Sequence, residues 1–270
     1  MQILLQACTD EPAMLSLLLV CRTVHEWTLP VLYHSVTFWN RRQIESFYAA
    51  HDPRGKTQDR LMLIKNLWVG DTPLRTGNLQ QTHGTWPIAN VYRILKLCTN
   101  LQSLYIIKLH PNRWNELESA VPASLENLAM GPIHGTFRIN SLSSHPRLRR
   151  FTSYHSYMRD GEILDMVLYP SMRQFRRVIQ GEYLNWYYAG MKQDSCISQS
   201  DTMEKMMLVV CGRNIDGTLL EQVTADLRDV TQGDQRVVVQ TSECENGIEL
   251  LFAEFREERA AHLAFLNRVL

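Results

Sequence analysis

The chain has 270 residues, and its 28 basic and 28 acidic side chains give a formal net charge of zero. With 45% hydrophobic residues, it has the composition of a globular protein, long enough for one elongated domain and a small module. The balanced charge argues against nucleic acid as a partner. No run approaches 18 apolar residues, so the sequence predicts no membrane span.

Other whole-chain features favour the cytoplasm or the nucleus. The apolar run at 14–21 follows Asp10 and Glu11 rather than a basic segment, which argues against a signal peptide. The six cysteines show no CxxC pair and no regular spacing, so we expect reduced, mostly buried thiols. Cys21 and His25 lie one helical turn apart, but two ligands make no zinc site. The sequence therefore predicts neither a metal nor a cofactor.

The first forty residues predict a short helical module. Pro12 can occupy the first turn of a helix, and apolar residues then recur with helical spacing at 14, 17, 18, 21 and 24. Pro30 predicts that a helical segment ends at Leu29, because the residue before proline is pushed out of the α region. Leu32 starts a further apolar face, which is followed by a strand-like segment at 35–38.

This order of segments resembles the second and third helices of an F-box, the module that attaches a substrate receptor to the Skp adaptor of a cullin ubiquitin ligase. Val20, Cys21 and Arg22 match the Val-Cys-Arg stretch of the family, whereas Val24 stands where an aromatic residue is common. The resemblance implies a protein that delivers targets and is not itself an enzyme. The alternative is a plain helical cap on the domain that follows.

The F-box pattern is incomplete at its start. The opening Leu-Pro pair of the family is absent, and residues 1–6 resemble a first helix entered midway, so we expect an N-terminally truncated module. The residues that the resemblance implies for adaptor binding are Ile3, Leu4, Leu17, Leu18, Val20, Cys21, Val24 and Leu32.

Beyond residue 60, an apolar motif of the type L-x-x-L-x-L repeats. Its first residue lies at positions 64, 101, 125, 148 and 172, which gives steps of 37, 24, 23 and 24 residues. Units of roughly 20 to 29 residues with this motif resemble the leucine-rich repeat, in which a short strand lines a curved solenoid and a helix or turn returns outside. The alternative is an α/β domain with coincidental spacing.

Further elements follow from the apolar periodicity. We predict helices at 88–98, 161–168 and around 219–227, strands at 203–210 and 236–240, and a closing helix at 249–270 that covers the last apolar unit. Residues 71–84 and 183–200 are predicted loops. The aromatic residues of the second loop, Trp186, Tyr187 and Tyr188, are interpreted as a lid rather than a partner-binding tip.

The repeat also predicts which side chains face a target. Because side chains alternate along a strand, Leu104 and Phe151 should point into the core, and Tyr105 and Thr152 should lie on the opposite, open face. Stacked units place aromatic residues early on that face and arginines later, where they could hold an acidic or phosphorylated stretch of a target. The alternative is a solvated basic face. The predicted target-binding residues are Trp68, Tyr105, Arg149, Arg150, Arg173 and Arg176.

The sequence therefore predicts an α/β chain with an F-box-like module at 1–40 and a linker helix and turn at 41–60. An irregular leucine-rich-repeat-like solenoid, with a strand and a helix in each unit, is predicted at 61–270 and ends in a C-terminal capping helix. The implied function is target recognition for a Skp-cullin-F-box ubiquitin ligase. One alternative is a repeat scaffold with a decayed F-box. A hydrolase is a third, but no G-x-S-x-G or H-E-x-x-H motif is present.

Overall fold

A computed structural model describes residues 16–17, 19–51, 57–79, 85–185, 196–213 and 215–269, with side chains up to residue 265. The α-helices are α1 (Arg22–His34), α2 (Arg41–Ala50), α3 (Ile88–Leu97), α4 (Asp160–Val167), α5 (Gly217–Val230) and α6 (Gly247–Val269). The strands are β1 (Ser35–Phe38), β2 (Asn66–Val69), β3 (Ser103–Ile107), β4 (Asn127–Gly131), β5 (Arg150–Tyr154), β6 (Gln174–Gln180), β7 (Lys205–Cys211) and β8 (Val237–Ser242).

The eight strands form one sheet in which every pair is parallel and the spatial order is the chain order, β1 to β8. The α/β class is therefore confirmed. The strands are paired so that the second apolar residue of each motif lies beside its counterpart in the next unit. This column contains Leu67, Leu104, Leu128, Phe151, Phe175 and Met206.

The predicted alternation of side chains across the sheet is confirmed. Eight motif residues are buried in the main apolar core, on the side of the sheet that carries α3 and α4: Leu101, Leu104, Ile106, Leu125, Leu128, Met130, Leu148 and Phe151. Their neighbours in sequence, Tyr105 and Ala129 among them, belong to a separate apolar cluster on the other side. The parallel pairing therefore produces two distinct layers, one on each face of the sheet.

The connections between strands are less regular than a strand and a helix in each unit. Helices α2, α3, α4 and α5 connect some strands, whereas β3 to β4 and β4 to β5 are joined by short 3-10 helices at Pro111–Glu116, Glu118–Ala120 and Ile139–Ser141. The second of these connections contains Pro132 and Pro146, which are unfavourable inside an α-helix. The prediction of one helix per unit is therefore wrong for these two units.

The N-terminal helices differ from the predicted ones. Leu19 and Val20 lie in a turn and Cys21 is extended (φ −163°, ψ 167°), so the predicted helical stripe from residue 14 to residue 24 is interrupted. Helix α1 then passes through Pro30 without ending at Leu29. A proline inside a helix removes one backbone hydrogen bond. Here the helix continues because Val31 and Leu32, beyond the proline, pack in an apolar cluster with Leu263 of α6.

Residues predicted to precede the repeats belong to the same sheet and core. Strand β1, within the range 1–40, pairs with β2 along its whole length. Helix α2, within the predicted linker, is capped by the Asn40 side chain, which accepts a hydrogen bond from the Gln43 backbone, and it buries Ile44 in the main core. Residues 35–50 are therefore part of the sheet and its core.

Helix α6 does not cover the last apolar unit, as the sequence predicted. Val237 and Val239 of β8 pack instead against β7 and α5 residues such as Leu208 and Val223. Helix α6 crosses the face of the sheet opposite the main core, from Tyr154 on β5 towards His34 at the end of α1. The prediction of a C-terminal helix is confirmed, whereas its predicted position is wrong.

Candidate interaction surfaces

Three apolar side chains are strongly exposed close to the N-terminal side of α1. Leu19 is 87% exposed, Val20 is 65% exposed and Trp27 is 52% exposed. Cys21, between the turn and the helix, is also exposed. We call Leu19, Val20 and Trp27 the N-terminal surface. Large exposed apolar side chains that are adjacent in the chain, as Leu19 and Val20 are, are common in protein contacts, since water solvates them poorly.

The residues predicted for adaptor binding do not form one surface. Leu17 and Leu32 are partly buried and pack against Val31 and Leu263 inside the molecule. Val24 is also partly buried, whereas Val20 and Cys21 are exposed. Ile3, Leu4 and Leu18 lie outside the described residues. Leu19 and Trp27 were missed because the predicted helical stripe assigned neither of them to its apolar face.

The face of the sheet opposite the main core, which we call the α6-covered face, begins with two stacked aromatic residues. The rings of Trp68 and Tyr105 lie 5.3 Å apart at 25°. Phe252 and Phe255 of α6 place their rings edge-on against them, Phe252 at 5.0 Å from Trp68 and Phe255 at 5.5 Å from Tyr105. These edge-to-face contacts add to the stabilisation from apolar burial. Trp68 has no exposed surface as a result.

An arginine lies further along this face. The Arg176 side chain is 9% exposed, and its Nε donates to Thr152 Oγ1 at 3.2 Å. Its Nη1 and Nη2 donate to Oε1 and Oε2 of Glu254, at 2.5 Å and 2.6 Å. This bidentate pairing compensates a guanidinium that burial would otherwise leave without a counter-charge.

A second carboxylate of α6 lies against the aromatic end of the face. The Tyr105 hydroxyl donates to Glu258 Oε1 at 3.2 Å, whereas the buried Glu258 Oε2 has no hydrogen-bond partner. Burial is the main reason that the pKa of Glu258 is raised above its usual value. Burial also raises the pKa of Tyr105, and Glu258 and Glu254 contribute to that shift. Glu258 is therefore a costly contact for α6 at neutral pH.

Two histidines join α6 to α1 beyond this point. The rings of His34 and His262 are stacked, with centroids 3.6 Å apart and planes 9° apart. Burial lowers the pKa of His34 to about 4, assisted by His262, Lys65 and Arg259. Burial, and then Lys65, also lowers the pKa of His262. The stack therefore consists of two neutral rings at pH 7, and protonation of either ring works against it.

The predicted target-binding residues are divided between buried and exposed positions. Trp68, Tyr105 and Arg176 lie under α6, so the expectation that they line an open face is wrong. The open face is absent because the C-terminal helix, which sequence periodicity could not place, lies over it.

The predicted arginine patch is also reduced. Arg177 is buried, as Arg176 is. Arg173 lies 3.7 Å from Glu204 and donates to the Thr202 carbonyl oxygen. Arg149 is exposed and 3.9 Å from Glu126, and Arg150 is partly buried. Arg149 and Arg173 thus each lie near a carboxylate, and Arg176 is paired with Glu254 under α6.

A serine and a histidine in contact bear on the hydrolase alternative. The His134 Nδ1 lies 2.7 Å from the Gly135 carbonyl oxygen, so it carries the ring proton, and Nε2 accepts from the Ser153 hydroxyl at 2.8 Å. Both side chains are buried, and the cavity beside His134 holds about 10 Å³, the space of a single water molecule. The pair satisfies buried polar groups and is not accessible to a substrate.

The described residues show neither a metal-binding cluster nor a disulfide. Within the described ranges, no three histidine, cysteine or carboxylate side chains are grouped to hold a metal ion. The described cysteines, at 21, 98, 196, 211 and 244, are free thiols, and Cys98, Cys196 and Cys211 are buried. Trp186, Tyr187 and Tyr188 of the predicted lid lie outside the described residues. Of the helices that the structure describes, none has the length and apolar character needed to cross a bilayer.

Comparison with known proteins adds no relative: no family model, no curated protein and no solved structure matches the chain.

Proposed function

We propose that the chain is the substrate-recognition subunit of a Skp-cullin-F-box type ubiquitin ligase. In this proposal the N-terminal surface binds a Skp-type adaptor, which connects the chain to a cullin, and the sheet domain binds a protein target. The protein itself catalyses no step. The cytoplasm or the nucleus is the proposed location, in keeping with the free thiols of the described cysteines.

The observation that carries the proposal is the N-terminal surface. Leu19 and Val20 are both more than half exposed, directly before α1, in the segment whose sequence resembles an F-box. Water solvates such exposed apolar side chains poorly, and a bound protein partner would bury them. The surface lies at the N-terminal end of α1, and β1 follows the other end of this helix.

The arrangement of the strands supports the second part of the proposal. We infer that the units are leucine-rich-repeat-like and form a solenoid, because the motif leucines of successive units lie side by side in a sheet that follows chain order. Repeat domains of this kind commonly present a long surface to a protein partner.

A second candidate is a repeat scaffold that binds a partner without any ligase. It is favoured by the turn at Leu19 and Val20, which interrupts the helix that the F-box resemblance requires. It is also favoured by the inward packing of Leu17 and Leu32. The two candidates differ only in whether the N-terminal surface binds an adaptor.

The test is retention of a purified Skp-type adaptor by the immobilised chain. Two versions are needed, the chain itself and the chain preceded by a first helix that contains a Leu-Pro pair. Leu19→Asp and Val20→Asp should abolish retention, because each places an unpaired charge in an apolar contact at a cost of several kcal/mol, about 3 or more. Both positions are exposed, so the fold should be unaffected.

Leu168→Asp is the matched control, since Leu168 is an exposed leucine (45%) at the end of α4, far along the chain from α1. It should retain the adaptor as the unmodified chain does. If neither version of the chain retains the adaptor, the ligase proposal is wrong and the scaffold remains. Equal loss with Leu168→Asp would mean that the contact is not at the N-terminal surface.

A further inference from the structure

The fold does not depend on α6 for its main core. The cluster that packs between the sheet and helices α2, α3 and α4 contains no residue of α6 among its described members. The cluster between β6, β7 and α5 contains none either. Helix α6 contacts a third, separate cluster, in which Leu251 and Phe255 are its fully buried apolar side chains. The sheet therefore has an apolar layer of its own on the side away from α6.

The α6-covered face has a definite chemical preference. Its buried Arg176, held in orientation by Thr152, needs a carboxylate, since a buried guanidinium without one carries a large desolvation cost. Its stacked Trp68 and Tyr105 accept aromatic edges. A ligand of this face thus carries an acidic residue next to aromatic residues on one side of a helix, as Phe252, Glu254 and Phe255 do in α6.

Helix α6 fulfils this preference imperfectly. Its Glu258 accepts a hydrogen bond from the Tyr105 hydroxyl through Oε1, whereas Oε2 is buried without a hydrogen-bond partner. The helix is connected to β8 by the short segment 243–246, in which Glu243 and Glu245 are exposed. The apolar cluster that holds Val237 and Val239 of β8 contains no residue of α6 among its described members.

We propose that the α6-covered face is a binding site for an acidic amphipathic helix of a partner protein, and that α6 is the intramolecular occupant that this helix replaces. This site rests on the proposed function, which identifies the partner as the target of the ligase. A target helix with a glutamate beside aromatic residues would take the Arg176 fork and the Trp68 and Tyr105 rings. The target would thereby be recognised through Trp68, Tyr105 and Arg176, after α6 has moved away.

The test uses the full chain with a protease recognition sequence inserted between Glu243 and Asn246. After cleavage, a fluorescent synthetic peptide of residues 247–270 is added, and its binding is followed by anisotropy. The peptide should exchange with the cleaved α6, and it should bind the uncut chain far less well, because the covalent link gives α6 a millimolar effective concentration.

Competition between unlabelled peptides tests the chemistry of recognition. The Glu254→Gln peptide should compete about tenfold or more less well than the unmodified peptide, since it loses a buried bidentate ion pair. The Glu257→Gln peptide is the matched control, because Glu257 is exposed and undergoes the same change of charge. It should compete as the unmodified peptide does. In a cleaved chain with Arg176→Gln, the Glu254→Gln and Glu257→Gln peptides should compete equally.

Three results would overturn the proposal. If cleaved α6 does not exchange below the temperature of global unfolding, α6 is a permanent part of the fold. If the Glu254→Gln and Glu257→Gln peptides compete equally for the cleaved chain that retains Arg176, the face does not recognise a carboxylate. If the uncut chain forms dimers by exchange of α6, the occupant is a second copy rather than a partner. None of these measurements involves an adaptor, so they leave the ligase proposal to its own test.

Discussion

The guanidinium of Arg176 on β6 and the carboxylate of Glu254 on α6 face each other with two hydrogen bonds, 2.5 Å and 2.6 Å long, across 78 positions of the sequence. The pair joins the last helix to the middle of the sheet, on a face that periodicity alone would leave open. Because both groups are largely buried, each depends on the other for a counter-charge.

Breaking this pair should loosen α6 without unfolding the sheet. Arg176→Ala leaves Glu254 without its partner, and we expect the free energy of α6 docking to fall by about 3–5 kcal/mol, the usual cost of half of a buried ion pair. Native-state hydrogen exchange should show lost protection in α6 and retained protection in β3 and β4. The paired change of Arg176→Met with Glu254→Leu should restore most of the docking. Equal loss of protection in β3 and β4 would contradict a separable α6.

Glu258 should make α6 docking weaker as the pH rises. Its pKa in the docked state is raised above the usual value, so the docked state binds a proton more tightly than the free helix does. The stabilisation is present below the usual pKa of a glutamate and is lost as the pH passes upward through the raised value. Glu258→Gln should therefore dock better than the unmodified chain at pH 7 and remove this slope.

Hydrogen exchange of α6 at several pH values measures the effect of Glu258. Glu257→Gln serves as the control, because Glu257 is exposed on the same helix. If α6 docks no more tightly at pH 7 in the Glu258→Gln variant than in the unmodified chain, the buried carboxylate does not weaken docking.

The His34 and His262 stack should make α6 docking weaker as the pH falls. The pKa of His34 is lowered from 6.5 to about 4, so the free or unfolded state takes up a proton first as the pH falls. Stability is complete above pH 6.5 and is lost as the pH falls towards 4. Lys65 acts on both rings and Arg259 acts on His34, and each adds to the repulsion of a protonated histidine.

Replacement of one ring separates this effect from that of Glu258. His262→Phe keeps an aromatic ring against His34 and removes one proton site, so it should flatten the loss of α6 protection between pH 6.5 and pH 4. His145→Gln changes an exposed histidine and should leave that loss as it is. The same pH dependence in both variants would mean that the stack does not control docking.

The main core should respond to truncation of the motif leucines. Leu104 and Leu128 are side by side in β3 and β4 and have at most 1% exposure, so Leu104→Ala or Leu128→Ala should lower the free energy of unfolding by about 2–5 kcal/mol. Urea denaturation followed by circular dichroism measures this change. Leu168→Ala, at an exposed position, should cost about 0.5 kcal/mol or less. A loss in unfolding free energy below about 1 kcal/mol for Leu104→Ala would indicate that the neighbouring side chains collapse into the cavity.

Local sequence determined the strands and their orientation. Apolar residues at positions one, four and six of each unit define a strand of period two, and this places Leu104 and Leu128 on one face and Tyr105 and Ala129 on the other. Such a pattern depends only on near neighbours in the chain and on the geometry of the extended backbone, and for that reason the strands of the repeat could be predicted.

Only the tertiary structure decided what covers the second face. The sequence of α6 predicts a helix with aromatic residues and glutamates, but periodicity does not say which surface those residues contact. Arg176 is buried because Thr152 on the neighbouring strand and Glu254 on α6 both reach it, and α1 continues past Pro30 because Val31 and Leu32 pack with Leu263. These contacts join residues far apart in the chain, and their energies exceed the local preferences on which sequence reasoning depends.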